Sequence, residues 1–351
     1  MKKKINIGIL GCANIAKRYV INVFKSLDVI NNIYIACRNS KEAKVFAEKY
    51  NIIAEKSYDS IIDNKDIDAV YVPLPIGLHE KWVIKAAIAR KHILCEKSLS
   101  NSFKSVKKMV GSCRSSKVVL FENFMCDYHP QHEKVLSLIH TGKIGDIFTF
   151  KGYFGFPPLD KGNFRYNKKL GGGSLNDAGA YPVFMARKIL ESEPISVTCR
   201  FNIDHENKVD IQGAAYIEFP NNKLAFVAFG FNNVYQNDYS VWGTKGVISV
   251  NKAYSIPPDF KPEVKMYKNE NFKDVIVDLD IPASNHFELI FKDFCNVILN
   301  NDYKKRIERY NQIINQAKVL EAMRVSALED RKVKIDEIEW ITDSGRSILL
   351  F

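Results

Sequence analysis

The sequence has no apolar run approaching the ~20 residues of a membrane-spanning helix. It has no C-x-x-C pair, no block of basic residues, and no internal repeat or low-complexity tract. The first absence argues against a helical membrane protein. The second removes the usual zinc and thioredoxin-type spacings. The seven cysteines are odd in number and irregularly placed, which points to reduced core thiols rather than a disulfide framework. The third weighs against nucleic acid as a partner. The net charge is +11, yet Lys and Arg are spread along the chain, so small anionic ligands fit better. The basic start "MKKKINIGIL" lacks the apolar length and cleavage site of a secretory signal. It reads as the first strand of a cytoplasmic protein.

What is present is the composition of a soluble globular protein, 46% hydrophobic and 26% charged over 351 residues, enough for about two domains. The first ~120 residues alternate short apolar runs ("INIGIL", "IYIACR", "DAVYVPL", "HILCEK", "VVLFEN") with amphipathic stretches. Strands apolar on both faces, separated by helices, form a parallel sheet covered on both sides. The fold class expected is therefore α/β, with a doubly wound Rossmann domain over 1–124. After Phe124 the pattern changes. A helix ("PQHEKVLSLIHTGKIG") and a strand ("DIFTFKGYFGF") precede a Pro/Gly-rich connection and a helix from about Asn176. Alternating runs from Pro194 to Leu279, joined by turns such as "PNN" and "GTKG", predict a large, open, mostly antiparallel sheet in an α/β domain over 125–351. Helices near Ser284–Leu299 and Arg309–Leu328 follow, and packing of these C-terminal helices back on the first domain stays open.

The segment after the first strand, "IGILGCANIAKRY", places Gly11-x-Ala13-x-x-Ala16 at dinucleotide-loop spacing. A glycine permits the tight turn, a small residue lets backbone approach a pyrophosphate, and the helix N-terminus favours its charge. Gly11, Cys12, Ala13, Asn14 and Ile15 are the candidate loop. An NAD site normally carries an acid at the end of the second strand. Here Cys37, Arg38, Asn39 and Ser40 stand there, a set suited to a 2′-phosphate, so NADP(H) is expected over NAD(H).

Four patterns in chain order, "GILGCANIA", "VPLPIGLHEKW", "CEKSLS" and "GGGSLNDAGAYP", resemble those of the Gfo/Idh/MocA oxidoreductases over essentially the whole chain. The resemblance implies an NAD(P)-dependent oxidoreductase acting on CH–OH or C=O groups. By position it places Lys97 near the nicotinamide, Tyr181 as proton donor or acceptor, and Asp177 as a residue ordering the substrate. Leu74, Pro75, His79 and Glu96 line the cofactor cleft, with Asn123 at the end of the last Rossmann strand. The chemistry agrees: hydride addition to a carbonyl creates an oxyanion that needs a proton and a positive charge. Tyr181 also suits a core position, and Asp177 a helix N-cap. The family often forms dimers or tetramers through its C-terminal sheet.

The family usually has Pro after Glu-Lys, where this chain has Ser98. A cis bond before a non-proline costs ~3 kcal/mol, so a trans Lys97–Ser98 bond is expected. His129 and His132 form an H-x-x-H without a metal-ligand partner at suitable spacing, so no metal is expected. His129 is assigned to packing or to the substrate side. The stretch "YFGFPPLDKGNFRYNKKLGGGSLNDAGAYP" is similar to ketoreductases of nucleotide-linked deoxysugars, which reduce C-3 of a dTDP-hexose with NADPH. Arg165 is a candidate for a cofactor or substrate phosphate. Sugar or trans-dihydrodiol dehydrogenases, and a non-catalytic NADP-binding sensor or scaffold, are the alternatives.

Overall fold

The computed structural model describes residues 4–343. The apolar end of the C-terminal stretch, 344–351, lies outside the described residues. Two compact units divide the chain. One contains the residues up to Phe124 together with Phe287–Ile314, and the other Met125–His286 with the chain from Asn315 on.

The first unit is a six-stranded sheet of β1 (Ile5–Leu10), β2 (Ile30–Ala36), β3 (Ile53–Ala54), β4 (Ala69–Val72), β5 (His92–Cys95) and β6 (Leu120–Glu122). The order is β3-β2-β1-β4-β5-β6, and every pairing is parallel. Continuous burial along β4 reflects cover on both faces by the crossover helices α1 (Ile21–Ser26), α2 (Ser40–Tyr50), α3 (Tyr58–Asp63), α4 (His79–Ile88) and α5 (Phe103–Ser116). A π-turn, Ala16–Val20, precedes α1. The chain reverses its order of strand addition between β1 and β4, which makes their C-terminal ends the switch point where α/β sheets bind ligands.

The second unit opens with α6 (Pro130–His140), β7 (Ile147–Gly155) and α7 (Ala180–Leu190). Then come β8 (Ser196–Ile203), β9 (Asp210–Glu218), β10 (Leu224–Gly230), β11 (Gln236–Gly243), β12 (Gly246–Asn251), β13 (Glu263–Glu270) and β14 (Lys273–Leu279). Helices α8 (His286–Leu299) and α9 (Tyr303–Glu329) follow, then β15 (Val333–Lys334) and α10 (Glu337–Asp343). The nine-stranded sheet runs β14-β13-β12-β11-β7-β10-β9-β8-β15. It is antiparallel except for the β7–β10 pair. The turn in "PNN" has Asn221 and Asn222 both at positive φ, the backbone of a primed hairpin turn.

Helix α8 supplies the first unit's core with aromatic side chains. Phe287 stacks on Tyr19 at 4.8 Å, Phe291 tilts on Phe24 at 4.8 Å, and Phe294 meets Phe121 edge-on at 5.4 Å. From the start of α9, Arg306 donates to the Lys117 carbonyl at 2.7 Å and the Tyr310 hydroxyl donates to that of Val118. The expected start of this helix, Arg309, is two turns late, because "YKKRIE" offers too few apolar positions for its period to be visible.

Candidate active site

Gly11 follows β1 with φ +122°, and a Cβ there would lie 3.3 Å from Leu74 Cδ2 and 3.5 Å from the Tyr58 hydroxyl. The backbone therefore runs close to the loop after β4, as a pyrophosphate cradle requires. Cys12 and Ala13 are partly exposed and Asn14 is exposed, so the loop lies at the surface. Beyond β2, Arg38, Asn39 and Ser40 are exposed. Asn39 caps α2 through its side-chain oxygen, which accepts from Lys41 N at 3.0 Å. These residues fit an NADP(H) cofactor: a glycine cradle at the switch point, and a cationic edge where a 2′-phosphate would lie.

One expectation fails at this place. Cys12 and Cys37 form a disulfide, with Cα atoms 5.9 Å apart, while the other five cysteines are buried and in no disulfide. The crossover from β1 to β2 sets the two loops side by side, and a separation of 25 residues gives no hint of that. Glu42 has a carboxylate oxygen within 4.8 Å of both sulfurs. Among the described residues this is the group of His, Cys, Asp and Glu close enough for a metal, but its sulfurs are bonded to each other.

At the ends of β4, β5 and β6 the polar residues are interlocked. Glu96 accepts from the Tyr71 hydroxyl at 2.5 Å and from Asn123 Nδ2 at 2.6 Å. Removal from water raises the Glu96 carboxyl above its ordinary pKa, although these bonds and Lys97 pull the other way. The Asn123 side-chain oxygen is buried with no hydrogen-bond partner among the described residues. Buried His79 lies between two carbonyls, Leu74 O at 2.7 Å from Nε2 and Leu99 O at 3.1 Å from Nδ1. Burial lowers its pKa, and a neutral imidazole donates to only one of them. It ties the loop after β4 to the segment that carries Lys97.

The Lys97–Ser98 bond is cis, contrary to the trans bond expected. Ser98 thus takes the bond geometry that Pro can give the family at this place. Its surroundings fix it: Ser98 is buried, and the next residue, Leu99, donates its N–H to Glu122 Oε1 at 2.7 Å. Glu122 and Tyr71 were not singled out from the sequence, since nothing local distinguishes an acid or a Tyr at a strand end.

In the second unit Asp177 sits on a π-helical turn, Leu175–Gly179, that leads into α7. Tyr181 opens α7. It is 5% exposed, with its ring edge-on to Phe154 at 5.2 Å and tilted on Tyr254 at 5.9 Å. Its hydroxyl points to Met125 Sδ, 3.8 Å away. The Arg165 guanidinium pairs with the Asp177 carboxylate. Burial is the largest single influence and lowers the Arg165 pKa. The charge and hydrogen bond of Asp177, with smaller contributions from Tyr181 and Tyr166, together outweigh it, and the net shift is upward. Arg165, Asp177 and Tyr181 are thereby brought together.

The triple glycine explains how this turn is held. A Cβ on Gly172 would strike the Arg165 carbonyl, and one on Gly173 (φ +121°) would strike Asp210. Asp210, at the start of β9, accepts from Ser174 Oγ at 2.8 Å and Leu175 N at 2.6 Å. Burial pushes its pKa up to about 6. Asn176 accepts from Arg324 of α9. Neither anchor is visible in sequence, because both lie far along the chain.

His129 caps α6 through Nδ1, which accepts from Gln131 N at 3.3 Å. It is buried beside His132 and His286, with ring centroids 6.5 and 5.9 Å away. Burial lowers His129 to about 4 and His286 to about 3, so these imidazoles are neutral near pH 7. Among the described residues, no helix is long and apolar enough to cross a membrane.

Comparison with known proteins places this geometry in a family. Residues 5–124 match the model described as an oxidoreductase family with an NAD-binding Rossmann fold, and residues 132–249 match the Gfo/Idh/MocA C-terminal domain. The chain is 33% identical to a dTDP-3,4-didehydro-2,6-dideoxy-alpha-D-glucose 3-reductase of Saccharopolyspora spinosa, over 81% of this chain and 85% of that protein. A solved 3-ketoreductase from Actinomadura kijaniata, in complex with NADP and TDP-benzene, superposes with a TM-score of 0.88. It is 29% identical, with 92% of this chain and 98% of that chain covered. The chain is also 29% identical to a trans-1,2-dihydrobenzene-1,2-diol dehydrogenase of Xenopus laevis, over 69% of this chain and 74% of that protein. The Rossmann unit and the sheet unit are the two halves of one known enzyme type, and the chain belongs to the Gfo/Idh/MocA family of oxidoreductases.

Proposed function

We propose that the protein reduces the C-3 keto group of a nucleotide-linked, dTDP-type keto-deoxyhexose with NADPH. The observation that carries this reading is the buried Tyr181 hydroxyl at the start of α7, with the Arg165–Asp177 pair within electrostatic reach. The substrate class is supported by relatives named 3-reductases of dTDP-linked dideoxy sugars. It is also supported by the Actinomadura kijaniata enzyme, crystallised with NADP and TDP-benzene.

When bound, NADPH supplies the hydride. Gly11, Cys12, Ala13, Asn14 and Ile15 would hold its pyrophosphate and Cys37, Arg38, Asn39 and Ser40 the 2′-phosphate end. Leu74, Pro75, His79, Glu96 and Asn123 would shape the remaining wall. Tyr181 gives its phenolic proton to the developing alkoxide, and Lys97 supplies positive charge. The resulting phenolate is stabilised by Arg165 and regains a proton from water. Arg165, held by Asp177, also has the charge and fork geometry to face a substrate phosphate, and we assign it there rather than to the cofactor. With a nucleotide sugar as substrate, the protein works in the cytoplasm.

The test is NADPH oxidation measured with a panel of dTDP-ketosugars, free sugars and diols. Turnover confined to nucleotide-linked ketosugars supports the reading. Turnover of free sugars or diols alone would favour a dehydrogenase, as would the likeness to the Xenopus enzyme. NADPH binding without turnover would favour a sensor. On the cofactor side, Arg38→Ala is expected to weaken NADPH about tenfold or more, the loss of a charge-assisted phosphate contact, and to leave NADH unchanged. Equal NADPH affinity in wild type and variant would remove Arg38 from the 2′-phosphate site.

We further propose that the second unit's sheet pairs two copies of the chain. Cross-strand register aligns Trp242, Val247, Tyr267 and Ile276 in one row across β11–β14. Trp242, Tyr267 and Ile276 are 56%, 38% and 58% exposed, an apolar row that water covers poorly. Light scattering should give a dimer or tetramer, with Trp242→Glu shifted toward monomer; a monomeric wild type would contradict the pairing.

A further inference from the structure

Cys12 and Cys37 occupy the two loops to which the adenosine end of the cofactor is assigned above. Cys12 stands between Gly11 and Ala13 in the pyrophosphate loop, and Cys37 directly precedes Arg38. Their disulfide joins the loops across the space between the ends of β1 and β2. A ribose 2′-phosphate would enter that same space, between the glycine loop and Arg38. The Glu42 carboxylate near the sulfurs adds negative charge opposed to a phosphate. Cys37 is 6% exposed and Cys12 is partly exposed, so Cys12 is the more accessible half of the bridge. The remaining five cysteines are buried.

We propose that Cys12–Cys37 is a reversible thiol–disulfide site that controls cofactor admission. As the disulfide it staples the glycine loop to the end of β2 and excludes the 2′-phosphorylated adenosine. As the dithiol it lets the two loops part and receive it. This rests on the placement of NADP(H) given above. The exchange partner is a dithiol. Its thiolate attacks the Cys12 sulfur, the Cys12–Cys37 bond breaks, and Cys37 leaves as a thiolate that takes up a proton. The second thiol of the reductant then attacks the mixed disulfide and frees Cys12. The reductant departs as its own disulfide, so two electrons and two protons have moved. Oxidation by a small disulfide reverses both steps. Disulfides in reducing compartments are usually catalytic or redox-sensing rather than structural.

The coupling is reciprocal: if reduction tightens NADPH binding, NADPH favours the reduced pair by the same factor. The test uses full-length protein oxidised with diamide or reduced with dithiothreitol. Its disulfide content is read by mass spectrometry after alkylation under native conditions, and NADPH binding by cofactor fluorescence. Reduced protein should be alkylated at Cys12 and bind NADPH about tenfold or more tightly than oxidised protein. Saturating NADPH should shift the midpoint of a dithiothreitol redox titration toward easier reduction, by about 30 mV for each tenfold. In Cys37→Ser, the affinities after the two treatments should be equal. Equal NADPH affinity for wild-type protein with and without the bridge would overturn the switch and leave the cofactor placement standing. So would failure of diamide to form the bridge. Failure of both forms to bind NADPH would overturn the placement, and the switch with it.

Discussion

Tyr181→Phe is expected to lower kcat for ketosugar reduction by about 10²–10⁴-fold, the range of one positioned general acid, with little change in NADPH affinity. The variant is informative because it removes an oxygen and little else. The ring keeps its contacts with Phe154 and Tyr254. The hydroxyl lies 3.8 Å from the Met125 thioether, a weak acceptor. A variant with full kcat would eliminate Tyr181 as the proton donor, whatever its position at the head of α7.

The second large effect is expected at Lys97. Lys97→Ala should lower kcat by about 10²–10³-fold, as when one stabilising group for a developing oxyanion is removed. Lys97 is partly exposed, and its charge bears on the buried Glu96 carboxyl, so folding of the variant is checked by circular dichroism beside the kinetics. Lys97→Arg separates charge from shape: a guanidinium keeps the charge but is planar and wider than an ammonium, so it should recover part of the loss. Unchanged turnover in Lys97→Ala would place the oxyanion charge elsewhere, with Arg165 the next cation to examine.

Much of this architecture is legible in the sequence because burial leaves a period. The Rossmann strands show as runs apolar on both faces, since helices cover both sides of a parallel sheet. The hairpin at Asn221–Asn222 shows because its turn needs residues that tolerate positive φ. The parallel β7–β10 pair leaves no such mark, because alternation is the same whichever way the neighbour runs. The motifs that mark Gly11, Lys97, Asp177 and Tyr181 as candidates are local, so they can be read without the fold. What the sequence hid depends on contacts between distant residues. Asp210 reaches Leu175 across 35 positions, Glu122 reaches Leu99 across 23, and Cys12 bonds Cys37 across 25. Irregular cysteine spacing argued for free thiols, but pairing follows Cα distance, which only the crossover between β1 and β2 sets. The cis bond before Ser98 is likewise a property of the surrounding packing, where residue type alone favours trans.

The proposed activity is NADPH-dependent reduction of a keto group on a nucleotide-linked deoxysugar. The most direct test is the decay of NADPH absorbance on adding a dTDP-linked 3-ketodeoxyhexose to dithiothreitol-treated protein, with the product sugar identified by NMR. Stoichiometric NADPH oxidation and a new hydroxyl at C-3 are expected. Absence of NADPH oxidation with that substrate, alongside rapid NADP⁺ reduction by a free sugar or diol, would contradict it.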